Sequence, residues 1–335
     1  MSEHAPRDNH TLTAGYLRRW GDERNEIDRH DLRGGVERKG PRAFGYQRDY
    51  WGTDPDLARE MEEKFQRAEK LALDVLADLP SRWPLKGDDR GLLTELLAIH
   101  IVRMPAFGGY ARQLGEQANR ETMAEGAPKH GLDEAQAAVY AELLRSDRVH
   151  ADSLLRQIPR VGSALGSMHW TLVEFPVDWL ITSDEPVVML GPPPHAVSPA
   201  SAIGPYPFNA VEARFTLDAR RVLLLTWLDG ADEPWLTGQR EHACSVNCAL
   251  KAQALEEWFS KPGTTPPFIA GPTLAPEIFL VSTGLLGGYS VQHAAESVRR
   301  QQADSIVRRM IEEQPPPKEM VFVTTKPKAA SAPAT

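Results

Sequence analysis

Cysteine is scarce: the 335 residues hold two, Cys244 and Cys248. One pair builds no disulfide framework, and two thiols four apart lack the second pair of a structural zinc site. His242 stands close by, so a metal held by the three is the alternative to two small apolar side chains on a packed helix face. Long apolar runs are missing as well. No stretch approaches the ~18 uninterrupted apolar residues of a membrane helix, and the opening MSEHAPRDNH is too polar for a secretory signal. These absences predict a cytoplasmic protein of a reducing compartment, with no membrane partner. Positive charge is in deficit, 38 Lys and Arg against 46 Asp and Glu, for a net −8. That excludes a general nucleic-acid coat and disfavours an anionic membrane surface, while leaving room for a local basic groove. The arginines between Arg18 and Arg42, with Lys39, are the only local supply, and acids interleave with them. There is no GxxxxGK[ST], no GxGxxG after a strand, no HExxH and no GxSxG, so phosphate cradles, zincin chemistry and the hydrolase elbow carry little weight.

What is present is an ordinary globular composition, 41% hydrophobic and 25% charged, able to bury a sizeable core. The stretch 170–190, WTLVEFPVDWLITSDEPVVML, organises the rest. Short runs rich in Trp, Val, Ile, Leu and Thr read as strands, and Ser183-Asp184-Glu185-Pro186 reads as the turn between them. A polar turn leaving a buried strand suits a working carboxylate, or one that only ties the turn together.

Upstream the pattern is mainly helical. Residues 1–9 read as a loose lead-in, and Leu12, Tyr16, Leu17 and Trp20 recur at helical spacing. Gly34-Gly35 suggests a hairpin between 26–32 and 36–39. Thr53 or Asp54 caps a long helix to about Leu79, with Leu57, Met61, Phe65, Ala68, Ala72, Val75 and Leu79 as its buried stripe. Glu62, Gln66 and Glu69 lie on one flank of that stripe. Asp88 or Asp89 opens a second helix, apolar nearly all round and ending before Pro105; Glu95, His100 and Arg103 are its exceptions. Helical signals continue over 106–124, and a helix capped by Asp133 extends towards Pro159, which bends or ends it. Downstream, 191–207 reads as a loop, 213–217 and 221–227 as strands, and 237 to about 260 as the cysteine-bearing helix. A short strand over 278–282 and a peripheral helix over 291–313 follow. The predicted fold class is α+β: a mainly helical N-terminal part, 53–168, packed on a C-terminal antiparallel sheet, 170–260. Both lie in one domain over 10–313, and a disordered tail occupies 314–335.

The candidate chemistry is a scattered polar set. Glu69, His100, Arg103 and Asp184 are the catalytic candidates; His10, Arg18, Arg19 and Ser183 are the substrate-binding ones. A carboxylate holds a proton, a His moves it near neutral pH, and an Arg holds an anion. Carboxylates with His also suit Mg²⁺ or Mn²⁺ for phosphodiester cleavage. The structural alternatives are an internal ion pair of Arg103 with Glu62 or Glu69, and a satisfied core His100. The resulting expectation is a hydrolase of the metal-assisted nuclease or phosphodiesterase type. A sensing or protein-interaction module with a structural polar cluster is the alternative.

The ordered series NHTLTAGYLRRW, EEKFQRAEKLALDVL, AIHIVRMP, HWTLVEFPVDWLITSDEPVVML, RFTLDARRVLLLTW and CSVNCALKAQALEEWF resembles a bacterial family, domain of unknown function 4238. The resemblance covers roughly 10–260. It aligns His10, Arg103 and Ser183-Asp184-Glu185-Pro186 with the family's His, its Arg-Thr-Pro-like helix end and its Ser-Asp-x-Pro. Met104-Pro105 and the His-Thr-Leu-Thr start depart from that pattern. The family implies order and extent, and no activity.

Overall fold

The computed structural model describes residues 8–109, 131–190, 212–226 and 233–268, with isolated positions between 111 and 129 and residue 210. The expected loop at 191–207, the strand at 278–282, the helix at 291–313, the tail at 314–335 and most of the helical stretch 106–124 lie outside the described residues.

The chain is α+β. Strand β1 (Asp8–His10) leads into a short helix α1 (Ala14–Leu17) and a 3₁₀ turn (Arg18–Trp20). Asp8 and Asn9 therefore belong to a strand, which β4 (Tyr46–Arg48) pairs antiparallel. The hairpin of β2 (Ile27–Asp31) and β3 (Val36–Lys39) turns at Gly34 and Gly35. Their φ values of 106° and 116° are ones that glycine alone adopts freely.

Helix α2 (Pro55–Ala77) starts where Asp54 accepts the N–H groups of Asp56 and Leu57, with Pro55 at the first helical position. Its predicted stripe is buried throughout, and Glu69 is buried with it. After α3 (Leu79–Arg82), helix α4 (Gly87–Val102) begins just ahead of the expected cap, so Asp88 and Asp89 occupy its first turn and complement its dipole. Leu93, Leu96, Leu97, Ile99, Ile101 and Val102 are all buried. Helix α5 (Glu134–Leu144) carries a capping box of Asp133 and Gln136. Ser146 caps a separate helix, α6 (Asp147–Ser167), which passes through Pro159 without ending there.

The second half is built on strands. β5 (His169–Glu174), β7 (Val187–Leu190), β8 (Glu212–Thr216), β9 (Arg221–Thr226) and β10 (Trp235–Thr237) form one sheet, ordered β10-β5-β9-β8-β7. It is antiparallel except that β10 adds in parallel to β5. The cysteine-bearing helix α7 (Arg240–Gln253) stops early, and Glu257–Ser260 becomes β11. Tertiary pairing explains that correction. Trp258 and Phe259 pair with β6 (Thr182–Ser183) on one side, and the whole strand pairs with β2 on the other. A second sheet, ordered β3-β2-β11-β6, thus joins the two ends of the described chain. Tyr16, Trp20, Phe65, Trp170 and Phe215 belong to the larger buried cluster, into which the α4 apolar face packs.

Candidate active site

Three elements bring the polar groups of the site together. Helix α2 supplies Glu62 and Glu69, about two turns apart on one flank. Helix α4 ends on Arg103, whose backbone caps the last turn by bonding Ile99. Strand β1 delivers His10, and its register with β4 fixes where that side chain stands.

Arg103 is 1% exposed and lies across the α2 flank. Its Nη1 donates to Glu69 Oε1 at 2.6 Å, and its Nη2 stands 3.6 Å from Glu62 Oε1. The guanidinium carbon sits 4.9 Å from the centre of the Phe65 ring, a favourable cation–aromatic distance. Glu62 Oε1 also accepts the backbone N–H of His10 at 3.2 Å and Trp51 Nε1–H at 3.4 Å. Its Oε2 lies 3.8 Å from His10 Nδ1. Among the described residues, Arg103 Nε and Nη2 have no hydrogen-bond acceptor.

One guanidinium between two carboxylates neutralises one charge fully, and burial decides which carboxylate keeps a proton. Burial carries Glu69 up to about 7, although Arg103 pulls the other way and Glu62 adds to the rise. Burial also opposes the charge of Glu62, but His10 and Arg103 together hold it below the ordinary glutamate value. Two carboxyl groups on one helix are therefore driven apart, Glu69 upwards and Glu62 downwards.

A groove of about 1350 Å³ opens along this flank. Glu62, Glu69, Arg67 and Lys70 line it from α2, with His10 and Arg18 opposite. Arg42, from the turn after β3, lines it as well. Arg18, Arg42, Arg67 and Lys70 make no ion pair with the described residues, and the acids Asp8, Glu63 and Asp74 line the groove beside them.

His10, Arg18, Glu69 and Arg103 are thus brought to one place; the other sequence candidates are engaged elsewhere. Asp184 Oδ1 accepts the N–H of Leu255 at 3.0 Å, and its Oδ2 those of Glu256 and Glu257 at 2.7 and 3.2 Å. It ties the start of β11 to the turn after β6. Ser183 Oγ closes the same turn, donating to Glu185 O at 2.9 Å. Arg19 reaches Leu76 O at 3.3 Å, the Leu217 carbonyl, and Asp218 Oδ2 at 3.1 Å. His100 is buried between Tyr16 and Phe215, with ring centres 4.7 and 5.3 Å away. Neither of its nitrogens has a partner among the described residues. Burial, aided by nearby Arg103, pushes its imidazole down to about 3, so it stays neutral. Asn247 is fully used, holding Ile181 N, Trp179 O and Pro267 O.

Three groups stood outside the sequence candidates. Glu62 was visible on the Glu69 flank and weighed as a partner of Arg103; the fold shows both glutamates beside Arg103 at once. Trp51 precedes the helix cap and gave no signal of its own. Glu185, beside Asp184, is buried and accepts Ala106 N–H at 2.8 Å; burial lifts it to about 8. No group of three or more His, Cys, Asp or Glu among the described residues is arranged to hold a metal ion. His242 instead caps its own helix, its Nδ1 accepting Gln239 N–H at 3.1 Å.

No helix among the described residues is long and apolar enough to cross a membrane. A family model, protein of unknown function DUF4238, matches residues 9–257. No curated protein and no solved structure matches the chain.

Proposed function

Since the chain belongs to the DUF4238 family, for which no activity is described, we propose its function from the geometry: a hydrolase of the phosphodiesterase type that works by acid–base chemistry. One observation carries this reading: Glu62 and Glu69 line a groove, share buried Arg103, and are shifted in opposite directions, Glu62 down and Glu69 up. Glu69 is the general acid and Glu62 the general base, and buried Arg103 holds the two carboxyl groups in place. Arg18 and His10 contact the substrate; Arg19 and Ser183, expected there from sequence, are committed to the fold. Arg18, Arg42, Arg67 and Lys70, which pair with none of the described residues, are the groups that would hold a phosphate ester, set among Asp8, Glu63 and Asp74.

The competing reading, a binding module with a structural ion cluster, draws on the 2.6 Å Arg103–Glu69 bond. A panel separates the two: bis-p-nitrophenyl phosphate, uridine 3′-(p-nitrophenyl phosphate) and fluorogenic DNA and RNA oligonucleotides, all in EDTA. Turnover of at least one substrate, falling at least about a hundredfold in Glu69→Gln at a melting temperature that holds or rises, is expected. Turnover of none, or wild-type rates in Glu69→Gln, overturns the hydrolase.

A further inference from the structure

Resting on that acid–base reading, we infer that the alcohol released from the phosphodiester is apolar, an alkyl or aryl group that leaves over a patch formed by Ala14, Gly15 and Leu73. Charge does not define what the groove accepts, since Arg18, Arg67 and Lys70 line it together with Asp8, Glu63 and Asp74. Part of its floor is uncharged. Helix α1 meets α2 where Gly15 faces Leu73: a Cβ on residue 15 would stand 2.5 Å from Leu73 Cδ1, so glycine permits the approach. Ala14, Gly15 and Leu73 all line the groove and are all half-buried, which leaves apolar surface open to whatever lies there. Apolar surface with a few placed polar groups is what a small-molecule cleft offers.

The patch sits beside the proton donor. Leu73 follows Glu69 by one turn of α2, four rises or about 6 Å along the axis, on the same side of the helix. Glu69 is 6% exposed and lines the groove. Its Oε1 accepts from Arg103 at 2.6 Å, while its Oε2 makes no hydrogen bond with the described residues. A buried carboxyl group thus has one oxygen to offer a ligand, next to apolar floor.

The chemistry fixes which end of the substrate lies there. Glu62 takes a proton from the attacking water as the water's oxygen bonds to phosphorus. The bond from phosphorus to the leaving oxygen breaks, and Glu69 gives that oxygen its proton. One water is consumed, and a phosphomonoester and an alcohol are formed. Glu62 is left protonated and Glu69 ionised, and exchange with solvent restores both. An alkoxide is a poor leaving group, so the proton must arrive at the alcohol's own oxygen. The leaving group therefore lies at the Glu69 end of the pair, and the next surface it meets is Leu73 with Gly15 and Ala14. Each methylene laid on that surface favours binding by up to about fourfold.

The experiment uses the full chain on two glycerol phosphodiesters, whose second alcohol is methanol or butan-1-ol, with products identified by mass spectrometry. kcat/KM is expected to be at least about tenfold higher for the butyl than for the methyl ester, with butanol and glycerol phosphate as products. Leu73→Ala and Leu73→Gln are each expected to cut that butyl-to-methyl ratio at least about threefold. Leu71→Ala, a truncation at an exposed position of α2 outside the groove, is expected to leave the ratio where it was. A wild-type ratio near one, an unmoved ratio in either Leu73 variant, an equal fall in Leu71→Ala, or butyl phosphate and free glycerol as products overturns the apolar leaving group and leaves the phosphodiesterase standing. Turnover of the p-nitrophenyl esters with neither glycerol ester cut does the same. If nothing in either set is turned over, both fall.

Discussion

Glu69 is the carboxyl group of the cluster that burial raises, to about 7. Glu69→Gln preserves shape and the Oε1 acceptor while fixing the neutral state. It therefore removes the proton donor and should hold or raise the melting temperature at pH 7, by thermal denaturation, while acid catalysis is lost. Arg103→Ala is a different experiment. It strands Glu69 in the core without its cation and is expected to destabilise by about 3–5 kcal/mol, so a lost activity there says nothing about chemistry. Asp184, expected from sequence to be catalytic, carries three backbone N–H groups that have no other acceptor. Asp184→Ala should cost about 2–3 kcal/mol in a urea titration. Unchanged stability would return Asp184 to the list of chemical candidates.

At the scale of elements, what periodicity and caps specify was legible: α2 with its Asp54 cap and buried stripe, the β2–β3 hairpin, and α4 as a buried helix with polar exceptions. The flank carrying Glu62 and Glu69 was legible for the same reason, because a helix face is a local property. The roles of Asp184 and Arg19 were not. Asp184 meets partners 71–73 residues away and Arg19 one at 199, through strand register that no local pattern encodes. The end of α7 was overrun because EEWFS suits a helix by composition, and only pairing with β2 and β6 makes it a strand. Glu185 belongs to this scale too. It joins the turn after β6 to the segment just past Arg103, through Ala106 N–H. Gln keeps that acceptor and carries no charge to desolvate, so Glu185→Gln should gain about 2 kcal/mol at pH 8 and little at pH 5. A loss at pH 8 would mean that the ionised form is the one the fold prefers.

For the molecule as a whole, the buried groups set opposing pH dependences. Burial raises Glu69 and Glu95 to about 7 and Glu185 to about 8, all above an unfolded glutamate near 4.5. Between those limits the folded chain binds more protons than the unfolded one. Their contribution is therefore complete below about pH 4.5 and drains away as pH rises through 7 and 8. His100 works in the other direction. Its folded value of about 3 lies below the unfolded 6.5, so its contribution is complete above 6.5 and is lost as pH falls towards 3. Above about pH 4.5 these three carboxyl groups together outweigh His100, so stability falls as pH rises from there. Urea midpoints should fall from pH 6 to pH 8.5, and the triple variant Glu69→Gln, Glu95→Gln, Glu185→Gln should flatten that fall. His100→Gln should leave it in place, because His100 is already neutral throughout that range. A midpoint that rises from pH 6 to 8.5 would mean these carboxyl groups are ionised in the folded chain at neutrality. The proton assigned to Glu69, and the acid catalysis built on it, would then go together.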